Sequence, residues 1–205
     1  MKKIVIIGNG TSVLDASNGK FINECDRVIR MNDFAIEGYE KFVGDKIDIF
    51  ACGPQHVKSR DENFLLKVNE FWFPFPFPIS GSDRYDMYFA ALKRIPDDAR
   101  VCHLPQSEAD LMEREQKEFG DLAEWCPSTG YRVLTMALMQ FPKYEVYVIG
   151  IDFFQGGWYW SPDKHWKHDA YITEDRIESI LDRHPVKYEQ FKIETYADQG
   201  RIHLL

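Results

Sequence analysis

Lys2-Lys3-Ile4-Val5-Ile6-Ile7-Gly8-Asn9-Gly10 opens the chain, and its reading decides the fold. The β-branched run Ile4 to Ile7 reads as a fully buried parallel strand. The small residues that follow present free backbone N–H groups at the top of a sheet, where a helix start can hold a phosphate. A tight strand-to-helix turn without a ligand would have the same sequence character. A dinucleotide fingerprint needs a third glycine, and position 13 is Val13, which weakens an NAD reading without touching the phosphate one.

A second turn has the same look. Pro127-Ser128-Thr129-Gly130 stands before Tyr131-Arg132-Val133-Leu134-Thr135-Met136-Ala137-Leu138-Met139, whose apolar residues recur at helical spacing. One hydroxyl residue is explained by N-capping, because a side-chain oxygen accepts an orphan N–H of the first turn. Two hydroxyls followed by glycine go further, since glycine lets a ligand approach the backbone.

Between and beyond these turns, strand-like and helix-like runs alternate. Strands are expected over 3–7, 26–31, 47–51, 70–73, 100–104, 144–150 and 191–196, and helices over 61–68, 83–94, 107–119, 130–141 and 173–183. The alternation predicts an α/β fold, a mostly parallel sheet with helices on both faces. Ligands of such sheets sit beyond the carboxyl ends of the strands, where strand order reverses. The turn at 8–10 and the segments after strands 47–51 and 144–150 all fall at such ends, so they are candidates for one pocket. Phe73-Pro74-Phe75-Pro76-Phe77-Pro78 cannot continue a central strand, because proline lacks the N–H a ladder needs. It is expected to take the chain out of the sheet into an exposed region over 74–125.

Composition narrows the function. With 205 residues, 44% hydrophobic and 15% aromatic, the chain can bury a sizeable core as one domain. A formal net charge of −8 argues against a nucleic-acid surface, although a locally basic pocket stays open. No apolar run of membrane-spanning length appears and the first residues enter a strand at once, so neither signal peptide nor stable membrane insertion is expected, and the expected location is cytoplasmic. Cys25, Cys52, Cys102 and Cys126 lie far apart without zinc-type spacing, which predicts free thiols.

Several of these segments together resemble the large sialyl motif of the eukaryotic-type sialyltransferase family: Ile7-Gly8-Asn9-Gly10, Asp26-Arg27-Val28-Ile29-Arg30-Met31-Asn32, Glu37-Gly38-Tyr39-Glu40 and Val43-Gly44-Asp45-Lys46-Ile47-Asp48. Pro127-Ser128-Thr129-Gly130 through Val148-Ile149-Gly150-Ile151-Asp152-Phe153-Phe154 is similar to the family's small motif. A related bacterial group shares the opening turn and the Gly-Ile-Asp-Phe ending. The resemblance implies a single Rossmann-like domain over 1–205, a variant of the GT-A sialyltransferase fold, with 74–125 and 155–172 as acceptor-side, lid-like segments. It implies a CMP-sialic acid or CMP-Kdo donor, a glycan acceptor, and transfer with inversion to a hydroxyl.

Carried onto matching positions, the resemblance implies donor binding by Gly8, Asn9, Gly10, Asn32, Ser128, Thr129, Gly130, Gly150, Ile151 and Asp152. Arg30, Glu40, Gly44 and Lys46 are expected to be framework, a pairing of charges and a turn glycine. Metal-dependent nucleotide-sugar transferases usually display an Asp-x-Asp pair; this chain has none, so no metal or other cofactor is expected. Inversion needs a base opposite the leaving group, and histidine suits that task near neutral pH. The family's last motif is a His followed a few residues later by Glu. His168-Asp169-Ala170-Tyr171-Ile172-Thr173-Glu174 resembles it with one extra residue in the spacing, which makes His168 the expected base. In the third motif only the aromatic part is present, Trp158-Tyr159-Trp160, with no preceding histidine. Either His165 or the Tyr159 hydroxyl would then contact the leaving phosphate. The family's inter-motif disulfide cannot form, because the corresponding regions read Lys3-Ile4 and Met139-Gln140-Phe141.

Other classes stay open. An NAD-dependent oxidoreductase would use Gly8-Asn9-Gly10 with Asp26, a metal-dependent hydrolase would be built from Asp152, His165, His168 and Asp169, and a non-catalytic CMP-sugar or glycan-binding module would need no base at all.

Overall fold

A computed structural model describes residues 1–77, 82–121, 127–154, 157–160 and 184–205. In chain order the elements are β1 (Lys3–Ile7), α1 (Gly19–Glu24), β2 (Arg27–Met31), α2 (Glu40–Val43), β3 (Ile49–Ala51), α3 (Pro54–Ser59), α4 (Glu62–Leu65), β4 (Glu70–Phe73), α5 (Ser82–Leu92), β5 (Arg100–His103), α6 (Gln106–Phe119), α7 (Thr129–Gln140), β6 (Glu145–Ile149), α8 (Val186–Asp198) and β7 (His203–Leu204).

The strands form one seven-stranded sheet in the order β5-β4-β3-β2-β1-β6-β7, and every pair is parallel. Strand order runs outward from β1 in both directions, so the reversal lies between β1 and β6. A crevice must open there, because the connections leave β1 and β6 toward opposite sides.

The pleat explains why β1 is apolar throughout. Ile4 and Ile6 point into a core shared with Tyr131, Leu134 and Ala137 of α7 and Tyr188 and Ile193 of α8. Val5 and Ile7 point to the other face, against Ile22 of α1 and Val43 of α2. Toward β4 the second face is closed instead by rings, with Phe50, Phe71 and Phe73 packed on Val57 of α3 and Tyr88 of α5.

Two sequence expectations are corrected. The segment 74–125 does not stay outside the sheet: after α5 the strand and helix expected over 100–104 and 107–119 form as β5, beside β4, and α6. Residues 191–196 are helix, not strand. The short alternation there is outweighed by a helical spacing, with Tyr188, Glu189 and Ile193 buried on one side of α8 and Gln190 bonded to Glu194 one turn on. The helix expected over 173–183 lies outside the described residues. Cys25, Cys52 and Cys102 are free and buried. Among the described residues no helix is long and apolar enough to cross a membrane.

Candidate functional site

The crevice between β1 and β6 is a cavity of about 340 Å³, and all ten residues expected to bind the donor line it. They come from four places in the chain: the turn after β1, the end of β2, the start of α7 and the turn after β6.

The turns after β1 and β6 lie in backbone contact. Gly8 N–H donates to Ile149 at 2.7 Å and Gly10 N–H to Gly150 at 2.9 Å. A Cβ on Gly8 would sit 2.0 Å from the Gly150 carbonyl oxygen, which leaves room for no other residue. Gly150 itself has φ +70°, a conformation that favours glycine.

Asp152 turns back from this point. Its carboxylate accepts the Ser12 N–H at 3.0 Å and the Ser12 hydroxyl, so it fastens the turn after β1 to the turn after β6. Asn9 is held by its side-chain N–H on the Met31 carbonyl at 3.0 Å.

At the opposite wall, Ser128 caps α7 by accepting the Tyr131 N–H. The first-turn N–H groups of Thr129 and Gly130 have no acceptor within the helix, and the helix dipole adds positive potential at the same point. Ser128 also donates, through its N–H and its hydroxyl, to the two oxygens of Glu189, both at 2.6 Å. Glu189 is 2% exposed, and burial pushes its carboxyl up to about 7, against the Ser128 hydrogen bonds and Arg132, which favour the ionised form.

Backbone strain is concentrated here. Among the described residues the non-glycine positions with positive φ are Asn32, Phe153 and Phe154, and all three line the cavity. Left-handed backbone at such residues costs on the order of 1 kcal/mol or more and persists where the surroundings enforce it, typically at sites.

His184 lines the cavity, as do Trp158 and Glu189. Its ring lies parallel to Phe154, centroids 5.3 Å apart and planes 6° from parallel. His184 and Glu189 line the cavity although the sequence reading assigned neither to the site. The signal was present: His184-Pro185-Val186-Lys187-Tyr188-Glu189 has the His-to-Glu spacing without the extra residue found at His168. His165 and His168 lie outside the described residues.

Tyr159 does not join the cavity. It is fully buried, its hydroxyl donates to the Ala35 carbonyl, and its ring packs edge-on against Tyr39. Burial pushes its phenol up to about 12, so a neutral, fully engaged hydroxyl takes the place of the expected phosphate contact. Trp158 occupies the wall instead, stacked on Trp160 with centroids 5.5 Å apart. Arg30 is also corrected. Among the described residues it is ion-paired with no carboxylate, and it donates instead to the carbonyls of Val43 at 2.7 Å, Gly44 at 3.0 Å and Lys46 at 3.0 Å. Gly44, at φ +64°, is the turn glycine that lets α2 end beneath it.

No Lys or Arg lines the cavity among the described residues. An anion held there would rest on backbone N–H groups, the amides of Asn9 and Asn32 and a helix start.

Comparison with known proteins agrees with this geometry. Residues 1–75 match the model of glycosyltransferase family 29 (sialyltransferase). A CMP-N-acetylneuraminate-beta-1,4-galactoside alpha-2,3-sialyltransferase from Rattus norvegicus is 33% identical over 63 residues, 31% of this chain and 17% of that protein. A CMP-N-acetylneuraminate-beta-galactosamide-alpha-2,3-sialyltransferase 2 from Mus musculus is 22% identical over 98% of this chain and 56% of its own length. The chain therefore spans only part of these relatives. In structure, a mammalian sialyltransferase superposes over 100% of this chain and 68% of its own, with a TM-score of 0.63 at 17% identity. The sialyltransferase CstII from Campylobacter jejuni, in complex with the substrate analogue cytidine-5'-monophosphate, covers 100% and 79% with a TM-score of 0.59 at 18% identity. Through its first 75 residues this chain is similar to the sialyltransferases of glycosyltransferase family 29, and over its whole length it takes the fold of the sialyltransferases it superposes on.

Proposed function

We propose that the chain is an inverting, metal-independent glycosyltransferase that takes sialic acid, or a related 2-keto acid sugar such as Kdo, from a CMP donor to a glycan hydroxyl. The observation that carries this reading is the single cavity in which the turns after β1 and β6, the end of β2 and the start of α7 meet beside His184. The relatives are named for CMP-N-acetylneuraminate, and the structural neighbour from Campylobacter jejuni is a complex with cytidine-5'-monophosphate.

In this reading the nucleotide lies along Gly8 to Gly10 and Gly150 to Asp152, and Asn9 and Asn32 reach its phosphate. The sugar carboxylate meets the start of α7. His184 takes the role the sequence suggested for His168: its imidazole removes the acceptor hydroxyl proton as the oxygen attacks the anomeric carbon. The bond from that carbon to a CMP oxygen breaks, and its electron pair leaves with CMP. In this reading the developing charge is met by the first-turn N–H groups of α7 and by the amides of Asn9 and Asn32, so that stabilisation needs no metal ion.

Two measurements test the reading. A thermal-shift panel of CMP, CMP-sialic acid, CMP-Kdo, UDP and NAD should show stabilisation by cytidine nucleotides, since a ligand that binds only the native state raises its stability. Stabilisation by NAD or UDP and by no cytidine compound would overturn it. Transfer should fall by about 10²- to 10⁴-fold in His184→Ala with CMP affinity retained, and should resist chelators. Full transfer in His184→Ala together with its loss in His168→Ala would return the base to His168. Nucleotide binding without transfer or donor hydrolysis would leave the non-catalytic module.

A further inference from the structure

Arg60 stands just beyond α3, outside the lining of the cavity, and reaches back beneath it. Its guanidinium donates to the Asn32 carbonyl at 3.1 Å and through both terminal nitrogens to the Phe34 carbonyl at 3.4 Å. The cation lies 4.2 Å from the Phe34 ring centroid, 4.8 Å from Phe64 and 5.6 Å from Phe50. Its Nε is buried and has no hydrogen-bond partner. Leaving a buried charged donor unsatisfied is unfavourable, so the two carbonyl contacts and the ring contacts must dominate the placement of this side chain.

The segment carrying Arg60 is itself fixed from behind. Arg94, beyond the end of α5, donates to the carbonyls of Val57 at 2.8 Å, Lys58 at 2.5 Å and Arg60 at 2.7 Å. The two arginines therefore link α5 to the segment after α3, and that segment to the end of β2.

What they hold there is Asn32, which has φ +50° and lines the cavity. Its N–H donates to Ala51 of β3 at 3.0 Å and its carbonyl accepts from Arg60, so the strained residue is gripped on both sides. Extended backbone is the relaxed alternative at a strand end, and it would swing the amide away from the Gly8 to Gly10 turn.

We propose that Arg60 is a positioning residue of this site, which keeps Asn32 left-handed and its amide turned into the cavity. The inference deepens the reading of the cavity as a CMP site and rests on it. Lysine would not replace the arginine, because one ammonium cannot bridge two carbonyls while lying flat on a ring.

A double-mutant cycle read by CMP titration tests the proposal, with Asn32→Gly chosen because glycine accepts φ +50°. Asn32→Gly and Arg60→Met should each weaken CMP about 5- to 10-fold, and the double variant should be no weaker than the worse single one, because Arg60 acts through Asn32. Additive losses, or normal CMP affinity in Arg60→Met, would overturn the proposal. If Arg60→Met does not fold, Arg60→Lys is used in the same cycle, with a loss of about 3-fold expected and normal affinity as the refuting result. Amide hydrogen exchange gives a readout without ligand: the Asn32 N–H should exchange about 10-fold faster in the Arg60 variant relative to those of β1. Failure of the wild-type chain to bind CMP would refute the donor reading, and unchanged exchange at Asn32 would refute the role of Arg60.

Discussion

The sheet is closed in two opposite ways. At β3 and β4 it is closed by rings: Phe50 meets Phe71 and Phe64 edge-on, with centroids 6.2 and 5.3 Å apart, and Phe73 meets Tyr88 at 5.2 Å. At β1 and β6 it is closed by bare backbone, where no side chain fits on Gly8. Side chains hold the first region together, and the exclusion of side chains holds the second open. Stability and binding should accordingly separate by region.

The sharpest way to break that comparison is to delete a ring. Phe71→Ala removes a fully buried side chain from the packed end and should lower the unfolding free energy by about 3–5 kcal/mol. CMP affinity of the folded fraction should stay within about 2-fold, because Phe71 touches nothing in the cavity. Urea unfolding and CMP titration measure the two. A large loss of affinity would mean that the ends are coupled.

The converse change adds one carbon at the open end. Gly8→Ala places a methyl 2.0 Å from a backbone oxygen, and the turns after β1 and β6 must part to admit it. An overpacked site of this kind costs about 2–3 kcal/mol. CMP binding should fall below detection as well, so the smaller loss of stability accompanies the larger loss of function. Normal binding in a folded Gly8→Ala protein would contradict the close approach of the two turns.

The same contrast explains what the sequence made legible. β-branched β1, the glycine turn after it and the hydroxyl-glycine start of α7 carry local signals, while Asn32 and Gly150 to Asp152 were named only through the family resemblance; the structure brings all ten donor-side positions to one cavity. Features set by distant contacts were not legible. That Tyr159 turns inward depends on the Ala35 carbonyl, which lies 124 residues away in sequence. β5 was legible as a strand at 100–104, but its place beside β4 was not, because that pairing joins residues about 30 apart in sequence, such as Glu70 and Arg100. The alternation over 191–196 misled because six residues sample less than two helical turns. His184 was passed over because the His-to-Glu spacing was sought at His168; the structure places His184 and Glu189 in the lining of the crevice.

The smallest expected effect is at Glu189, where the open region meets the packed face of α8. Its carboxyl titrates near 7 when folded, against a usual value of 4.5. Between these values the folded chain keeps a proton that the unfolded chain has released, so this group's contribution to stability falls as pH rises from about 4.5 to about 7. Binding should follow the same proton. When Glu189 is ionised, both hydrogens of Ser128 point at it; when it is protonated, it donates to the Ser128 oxygen, and the serine hydroxyl hydrogen turns toward the cavity. An anionic ligand also escapes a like charge. CMP affinity should therefore fall by about 3- to 10-fold more in the wild-type chain than in Glu189→Gln between about pH 6 and pH 8. The phosphate of CMP titrates identically against both proteins, so it cancels in the difference. Parallel pH profiles for the two would show that Glu189 only anchors α8 to the start of α7, and that the open end of the sheet takes its anion without help from this proton.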